Sequence, residues 1–395
     1  MENFHIVSAL CRQVIKDGPS SDAVTQMERL EKALADSGYE DEAIALKRLI
    51  EKANRKAIME PSQLKLSKAA LIKGQILTPN SKLPVDKDSG SPLARIIFQD
   101  TLNNIDIPIF PTEIDSAVNQ LVDEWNSIDK LESVGVKPSF SCLLYGLPGT
   151  GKTQLALYIA KKMGLPVVVA KLDGLVSSLL GTSARNINNL FNFVSQHQCI
   201  LLLDEFDAVA KARDDAHEVG EIKRVVNTLL QCIDERAELG LTIAITNHEV
   251  LLDPAVWRRF DIRMYVPKPN LEARCKIIEK YMLPLNLSEE QSKFLSLVTE
   301  EFCGSDLELL SENYKRHVVL SNQKMSFIDR IKSLFVINSS KHSELILLIR
   351  EGDTSQVMYK LNKEFGFTQR EISRVFETSL SRVSKSINDF VKGLT

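Results

Sequence analysis

The octapeptide GLPGTGKT at residues 146–153 decides the fold of this chain. It fits the pattern G-x-x-x-x-G-K-[ST], in which glycines permit a tight turn and backbone N–H groups point at a polyphosphate. In this pattern Lys152 is expected to reach the β- and γ-phosphates of a nucleotide, and the Thr153 hydroxyl is expected to bind Mg²⁺. The predicted nucleotide-binding residues of this loop are Gly146, Leu147, Pro148, Gly149, Thr150, Gly151, Lys152, Thr153 and Gln154.

The segments on either side of the loop have the composition that such a loop needs. SCLLY (141–145) is a short apolar run, which predicts a buried strand. TQLALYIAKKMG (153–164) carries Leu155, Ile159 and Met163 at a spacing of four, which predicts an amphipathic helix. A strand, a glycine-rich loop and a helix in this order predict a nucleotide-binding site and not a chance match.

Further short apolar runs alternate with helical segments after the loop. They are LPVVVA (165–170), CILLLD (199–204), LTIAIT (241–246) and IRMYVP (262–267). This alternation predicts an α/β fold with a parallel sheet and helices on both of its faces.

The rest of the chain reads as helical segments and one linker. Residues 1–73 carry apolar residues at helical spacing and predict an N-terminal helical module, with a weak preference for partner docking over simple packing. Residues 74–104 begin with a stretch rich in Pro, Gly, Ser and Asp and predict a linker. Residues 105–267 form the predicted core, 268–325 a helical segment, and 326–395 a C-terminal helical extension.

Composition limits the classes of protein to which the chain can belong. Its 395 residues suffice for roughly two to four domains, and its net charge of −3 gives no general reason to expect nucleic acid or an anionic membrane. The six cysteines include no C-x-x-C pair, so neither a zinc site nor a disulfide framework is indicated. No run approaches the ~20 apolar residues of a membrane span, and no secretory signal is visible. A cytoplasmic protein without a membrane partner is therefore expected.

Two acidic residues complete the predicted catalytic site. In CILLLDEFD (199–207), Asp204 and Glu205 stand at the carboxyl end of a buried strand, where ligands bind in open α/β sheets. Asp204 is expected to hold Mg²⁺, and Glu205 to orient and polarise the water that attacks the γ-phosphate. The alternative is that the two acids are simply a solvated strand end. The pair lies 52 residues after Lys152 with one predicted strand between them, and this arrangement favours the catalytic interpretation.

An amide and two arginines follow where a hydrolase needs them. Asn247 ends LTIAITN and is expected to help position the attacking water. Arg258 and Arg259 lie far in sequence from the phosphate loop, which suits an arginine finger donated to a neighbouring subunit. The alternative is a surface pair neutralised by Asp253 or Asp261.

These motifs together resemble the AAA family of ring-forming ATPases. The resemblance rests on GLPGTGKT, LLLDEFDAVAKAR, AITN and LDPAVWRRFD, and it covers about residues 105–320. The two adjacent arginines before Phe-Asp resemble the arginine segment of the spastin and katanin branch. The surrounding sequence resembles that of small prokaryotic members of the family. The resemblance implies a P-loop NTPase core followed by an all-helical lid, a homo-oligomer (a hexamer), and ATP with Mg²⁺ at subunit interfaces. It also implies that Gly304 and Ser305, before Asp306 in FCGSDLELL, approach the nucleotide.

The sequence departs from the family at its first central loop. Members that thread polypeptide carry an aromatic residue there, before a glycine, whereas this chain has Leu179, followed by Leu180 and Gly181. An apolar tip remains, but not a flat ring that could intercalate between client side chains. The sequence therefore leaves threading open, and ordinary packing of the two leucines is the alternative.

The C-terminal segment FTQREISRVFETSLSRVSKSI (367–387) resembles a bacterial helix-turn-helix. Thr368 and Glu371 predict a capping box, and Ile372, Val375 and Phe376 are expected to pack inward. The second helix is expected to begin near Ser379 and to expose Ser381, Arg382, Ser384, Lys385 and Asn388. Residues 353–395 carry seven Lys or Arg and five Asp or Glu, a modest surplus. DNA binding through 367–390 and docking of a protein partner are therefore both open.

Two functions of different classes follow from these patterns. The leading hypothesis is ATP hydrolysis by a ring-forming ATPase that remodels or disassembles a protein client. The alternative is an ATP-dependent oligomeric switch that controls an effector subunit (a protease or a nuclease) or DNA through its terminal helices. A clamp loader or initiator is less favoured, because the arginine segment follows the pattern of the remodelling enzymes.

Overall fold

The structure is a computed structural model, and its contacts divide the chain into two compact units, Met1–Leu71 and Ile72–Thr395. It describes residues 21–37, 39, 42–47, 74–172, 182–207, 219–236, 240–252, 254–321, 325–338 and 344–394. In the first unit, helix α1 (Ser21–Asp36) buries Met27 and Leu34. The remainder of the expected helical module, beyond 47, lies outside the described residues.

The second unit is built around a six-stranded sheet. The described strands are β1 (Gln75–Ile76), β2 (Arg95–Ile97), β3 (Ser141–Tyr145), β4 (Val167–Lys171), β5 (His197–Gln198), β6 (Ile200–Asp204), β7 (Thr242–Thr246) and β8 (Ile262–Tyr265). The large sheet has the order β2-β4-β6-β7-β3-β8, with β2 antiparallel to β4 and every other neighbouring pair parallel. Strands β1 and β5 form a separate parallel pair.

The predicted α/β fold with a mostly parallel sheet is confirmed. Strand β3 has the predicted bounds, and β4, β6, β7 and β8 differ from the predicted runs by two residues or fewer at each end. Residues 142–144 and 200–203 are fully buried, because a parallel strand is covered by helices on both faces. Strand β3 lies between β7 and the edge strand β8, so the loop after it opens one strand in from that side of the sheet.

One strand of the sheet lies in the segment expected to be a linker, 74–104. Strand β2 pairs in register with β4 (Arg95 with Val169, Ile97 with Val167) at the edge of the sheet. Its three residues are too few to show the alternation that identifies a strand, which needs about four to eight residues. The linker composition is confined to the residues before it.

Helices cover the sheet. They are α2 (Gln99–Asn103), α3 (Thr112–Asn126), α4 (Ile128–Ser133), α5 (Lys152–Met163), α6 (Ser183–Ser195), α7 (Val219–Arg236) and α8 (Pro254–Trp257). Helix α5 begins directly after Gly151 and ends at Gly164, and both glycines are left-handed, with φ of 92° and 69°. It buries Leu155, Ile159 and Met163, as the spacing of four predicts.

The remaining helices form one body. They are α9 (Leu271–Met282), α10 (Glu289–Val298), α11 (Gly304–Leu320), α12 (Phe327–Asn338), α13 (Glu344–Glu351), α14 (Thr354–Lys363), α15 (Gln369–Val375) and α16 (Leu380–Leu394). A single hydrophobic cluster extends from Ile277 to Ile387 and includes Phe294, Ile346 and Ile372. The expected lid (268–325) and C-terminal extension (326–395) therefore share one core. Among the described helices, none is both long and apolar enough to cross a membrane.

Candidate nucleotide-binding site

The loop between β3 and α5 has a backbone that requires glycine. Gly146, Gly149 and Gly151 have φ of 138°, 78° and 92°, in the region that side chains disfavour. A Cβ atom on Gly146 would lie 2.5 Å from the Val266 carbonyl oxygen. A Cβ atom on Gly149 would lie 2.1 Å from Ser305 Oγ. The loop is thus packed closely against its surroundings.

The Lys152 side chain is enclosed by the loop. It is only 4% exposed, and its Nζ donates to the carbonyl oxygens of Gly146 (2.9 Å) and Leu147 (2.7 Å). Burial lowers the pKa of Lys152, and the nearby Cys303, Glu249 and other acidic groups partly offset this effect. Within the described residues, the Lys152 ammonium group donates hydrogen bonds to carbonyl oxygens and not to a carboxylate, so it can bind an anionic ligand.

The carboxyl end of β6 presents the predicted acidic pair. Asp204 is the last residue of the strand, and its Oδ1 accepts the N–H of Glu205 at 2.9 Å. Glu205 has φ of 57°, an unusual value for a residue other than glycine. The next residue, Phe206, donates its N–H to the carbonyl oxygen of Ile245 at 2.8 Å. Such local strain is maintained by the surrounding contacts and is frequent at functional sites.

A cavity of about 320 Å³ lies between the loop, the sheet edge and the lid. Its volume is at the lower end of the roughly 300–1,000 Å³ that small-molecule sites occupy. The sequence-predicted residues that line it are Pro148, Gly149, Thr150, Gly151, Lys152, Thr153, Gln154, Asp204, Asn247, Gly304 and Ser305. Gly146, Leu147, Glu205, Arg258 and Arg259 do not line it.

The lid contacts the phosphate loop directly. Helix α11 begins at Gly304, and the N–H of Ser305 donates to the Gly149 carbonyl oxygen at 3.2 Å. Asp306 accepts the Cys303 N–H at 2.7 Å and so fixes the start of this helix. The two predicted segments, more than 150 residues apart, are thus joined by a backbone hydrogen bond.

The cavity also has walls that the sequence analysis missed. They are residues 108–111 on one side, and Ile277, Lys280, Tyr281 and Glu308 of the lid on the other. Burial raises the pKa of Tyr281, whose side chain interacts with Gln154 and Glu308. These residues belong to no short motif, and only the packing of the lid onto the core brings them to the loop.

The two predicted arginines have different surroundings. Arg259 forms an ion pair with Asp234 of α7 at 2.8 Å, whereas Arg258 is exposed and has no ion pair within the described residues. In the part of the chain that the structure describes, there is no ion pair between Asp261 and either arginine, so the alternative prediction that Asp261 neutralises the pair is wrong. The Asp261 carboxylate instead accepts the N–H groups of Phe140 (2.9 Å) and Ser141 (3.1 Å). Asp253 lies outside the described residues.

The residues predicted to form the first central loop, Leu179, Leu180 and Gly181, also lie outside the described residues. The segment LLLDEFDAVAKAR is described only up to Asp207.

The residues at the cavity suit a nucleotide with its metal ion. The Thr153 hydroxyl and the Asp204 carboxylate both border the cavity, and oxygen ligands of these kinds are those that Mg²⁺ prefers. The loop supplies backbone N–H groups at a helix N-terminus together with a buried lysine, a combination that binds phosphate.

Comparison with known proteins agrees with this geometry. The profile of the family described as "ATPase family associated with various cellular activities (AAA)" matches residues 142–268. The chain is 44% identical over 150 residues to the "Uncharacterized AAA family ATPase y4kL" of Sinorhizobium fredii, covering 38% of this chain and 46% of that protein.

Two further relatives carry descriptive names. The proteasome-activating nucleotidase 2 of Halobacterium salinarum is 35% identical over 192 residues, covering 46% of each chain. The protein SUPPRESSOR OF K(+) TRANSPORT GROWTH DEFECT 1 of Arabidopsis thaliana is 32% identical over 197 residues, covering 48% of this chain and 45% of that protein. The chain thus spans less than half the length of these relatives.

The family match begins one residue into strand β3 and ends before helix α9, so it covers the phosphate loop, the acidic pair and both arginines. Together with the cavity at the ends of β3 and β6, this match confirms the resemblance seen in the sequence: residues 142–268 of the chain form an AAA domain.

Proposed function

We propose that this chain hydrolyses ATP as a ring-forming oligomer, with each active site completed by an arginine of the neighbouring subunit, and that it uses the energy to remodel a protein client. Membership of the AAA family implies ATP hydrolase activity. The observation that carries the proposal is the composition of the cavity wall. The phosphate loop, Asp204, Asn247 and the lid all border the cavity, whereas Arg258 does not, so an arginine at the phosphates would have to come from a neighbouring subunit.

In the proposed reaction, Lys152 leaves the carbonyl oxygens of its own loop and binds the β- and γ-phosphate oxygens. Thr153 and Asp204 would hold Mg²⁺, which would neutralise charge on the phosphates. Glu205 accepts a proton from a water molecule as its oxygen attacks the γ-phosphorus, the bond to the bridging oxygen breaks, and ADP and inorganic phosphate leave. Asn247 orients that water.

The nucleoside binds between the lid and the segment before α3. Ile109, Phe110 and Ile277 supply an apolar slot for a base. The Phe110 ring lies against the start of α5, 3.4 Å from where a Cβ atom of Gly151 would stand. Tyr281 and Gln154 supply polar groups beside this slot.

The two arginines have separate tasks in this proposal. Arg258 is the finger, because its side chain is exposed and is engaged by no acidic group within the described residues. Arg259 is a positioning residue, because its ion pair with Asp234 ties the segment to α7. Such a finger stabilises charge in the transition state and contributes roughly 10³–10⁵ in rate.

Two relatives support the part of the proposal that concerns a protein client. One is a proteasome-activating nucleotidase, and the zinc metalloprotease FtsH of Aquifex aeolicus is 33% identical over 211 residues. Each name couples an ATPase to protein turnover. In the proposed cycle, hydrolysis moves the lid, since the lid contacts the phosphate loop through Ser305.

The decisive experiment mixes two inactive variants. Glu205→Gln loses the base but keeps its arginine, and Arg258→Ala loses the arginine but keeps its base. A mixture should regain ATP turnover, because some sites pair an intact Glu205 with an intact Arg258. Turnover per wild-type protomer should also rise with protein concentration. Two variants that stay inactive when mixed, beside an active wild type, would refute completion of the site between subunits.

A second candidate is the oligomeric switch. It is favoured by the core that the lid shares with the C-terminal helices, since nucleotide-driven movement of the lid must carry these helices along. Leu179→Ala separates the two functions. A remodelling engine should lose client work while basal ATP turnover persists, whereas a switch should keep its regulation of the effector.

A further inference from the structure

The last two helices form a tight helix-turn-helix. Helices α15 and α16 are joined by four residues, 376–379, and Glu377 in this turn is left-handed with φ of 51°. Ser373 Oγ donates to the carbonyl oxygen of Thr378 at 2.7 Å, and the N–H of Thr378 donates to the carbonyl oxygen of Ser373 at 3.0 Å. Turns of three or four residues between two short helices are typical of DNA-binding helix pairs.

The orientation of α16 is fixed by its inner face. Val383 and Ile387, one helical turn apart, are buried in the shared core together with Ile372 and Val375 of α15. Helix α15 is in turn held to α10 of the lid, because Arg374 contacts Glu290 and Lys293 lies 3.5 Å from Glu371. The opposite face of α16 is therefore held outward by packing and by ion pairs.

Between residues 381 and 389 that outward face is polar, and the exposed apolar side chains of the helix, Leu380 (44% exposed) and Val391 (39% exposed), lie outside this stretch. The exposed side chains between 381 and 389 are Ser381, Arg382, Lys385, Asn388 and Asp389. The two large apolar residues in this stretch, Val383 and Ile387, are both buried. A helix that docks into a protein groove presents apolar anchors at spacings of three, four and seven. Between 381 and 389 this face offers no such anchor and presents polar side chains instead.

The charge of this surface favours binding of an anionic partner. Three cations of α15 and α16, Arg370, Arg382 and Lys385, have exposed side chains that enter no ion pair with any part of the chain that the structure describes. Of the nearby acids, Glu371 is occupied by its capping box and by Lys293, which leaves Asp389 and Glu377 of the turn, whose carboxylate accepts the Phe327 N–H. Two acids thus stand against three cations. The surface thus carries a local cationic surplus, although the whole chain has a net charge of −3.

We propose that α16 binds the major groove of duplex DNA. Arg382 and Asn388 face the base edges, since these side chain types pair with guanine and adenine there. Lys385 and Arg370 contact backbone phosphates, which position the helix without reading sequence. In the oligomer proposed above, on which this point rests, each copy would present one such helix, joined through the shared core to the lid of its own nucleotide site.

The test is a fluorescence anisotropy titration of the full-length chain with a duplex of mixed sequence and about 30 base pairs, at about 50 mM salt and above. The test variant is Arg382→Glu with Lys385→Glu. The matched control is Lys130→Glu with Lys137→Glu, which reverses two exposed lysines near helix α4 and changes the net charge equally. Neither pair belongs to the proposed catalytic site, so unaltered ATP turnover reports intact folding.

The expected result is binding by wild type that weakens steeply with salt. The test variant should lose at least about tenfold in affinity, and its salt slope should fall by about one, for the phosphate contact of Lys385 that is lost. The DNA affinity of the control variant should stay within about twofold of that of the wild type. Equal affinity of test variant and control, or no DNA binding by wild type at low salt, would overturn the proposal without touching the proposed ATPase activity.

Discussion

At the residue scale, Glu205 shows how the fold places the proposed catalytic base. A residue other than glycine in the left-handed region costs about 1–2 kcal/mol. The structure tolerates this at the end of β6 because Asp204 accepts the Glu205 N–H and Phe206 is anchored to β7. The bend turns the chain away from the strand directly after Asp204, so adjacent residues can serve a metal ion and a water molecule.

The first prediction concerns this carboxylate. Glu205→Gln keeps the size and the backbone but removes the proton acceptor, so ATP turnover should fall by roughly 10²–10⁴-fold. Nucleotide affinity should stay within about twofold of wild type, because Glu205 does not line the cavity. Steady-state turnover and titration with a fluorescent ATP analogue measure the two quantities. Near-normal turnover would contradict the assignment of Glu205 as base.

The second prediction separates the two arginines. Arg258→Ala should reduce turnover by roughly 10³–10⁵-fold with nucleotide binding intact. Arg259→Ala should reduce it less, and Asp234→Asn should have a similar effect, because both break the same ion pair.

A charge swap provides the control for this pair. Asp234→Arg combined with Arg259→Asp should recover part of the turnover that either single change loses. If Asp234→Asn is silent while Arg259→Ala abolishes turnover, then Arg259 and not Arg258 contacts the phosphate.

At the element scale, helix caps define where the C-terminal helices begin. Thr368 caps α15, with its hydroxyl accepting the N–H of Glu371 at 3.2 Å and the Glu371 carboxylate accepting the Thr368 N–H at 2.6 Å. Two backbone donors that would otherwise lack a partner are thereby satisfied, and the helix start is fixed relative to the lid.

The third prediction concerns this cap. Thr368→Ala should lower the free energy of unfolding by about 0.5–2 kcal/mol, since the hydroxyl acceptor is lost. Thr354→Ala is the matched control, because Thr354 is exposed in the first turn of α14, whose cap is Asp353. Thermal or urea denaturation of both variants measures the difference. Equal stability of the two variants would mean that the cap does not stabilise the body.

The elements that the sequence predicts well are those defined by local pattern. The phosphate loop, the apolar strands around it and the Thr368 capping box depend on residues close in sequence, and the structure has them where predicted. Strand β2 was missed because its pairing with β4 is non-local. Tyr281 and Asp234 were missed for the same reason, since a single tyrosine or aspartate on a helix carries no signal of what it will meet.

At the scale of the whole molecule, the lid and the C-terminal helices are inseparable. Phe335 and Ile346 of the extension lie in the same cluster as Phe294 and Phe302 of the expected lid. The Phe302 and Phe335 rings make an edge contact with centroids 6.3 Å apart. Removing one part exposes the apolar surface of the other to water, which costs about 25 cal/mol of folding free energy for each Å² exposed.

The fourth prediction compares two truncations. Deleting residues 326–395 should leave the lid unfolded or aggregating, because it removes much of the shared cluster. Deleting residues 1–71 should leave a cooperative thermal transition, because these residues form a separate compact unit. Calorimetry and size-exclusion chromatography measure both outcomes. A well-folded, monodisperse product of the first deletion would show that the lid is stable alone.

The common core also marks where the chain could be cut and rejoined. The family profile ends at residue 268, and every buried member of the cluster lies between 277 and 387. A chimaera that joins another family member's catalytic part to residues 269–395 would keep all of these buried members together. A recombinant protein joined at this boundary should therefore fold, whereas one joined at residue 326 should not, and its nucleotide cavity would take one wall from each parent.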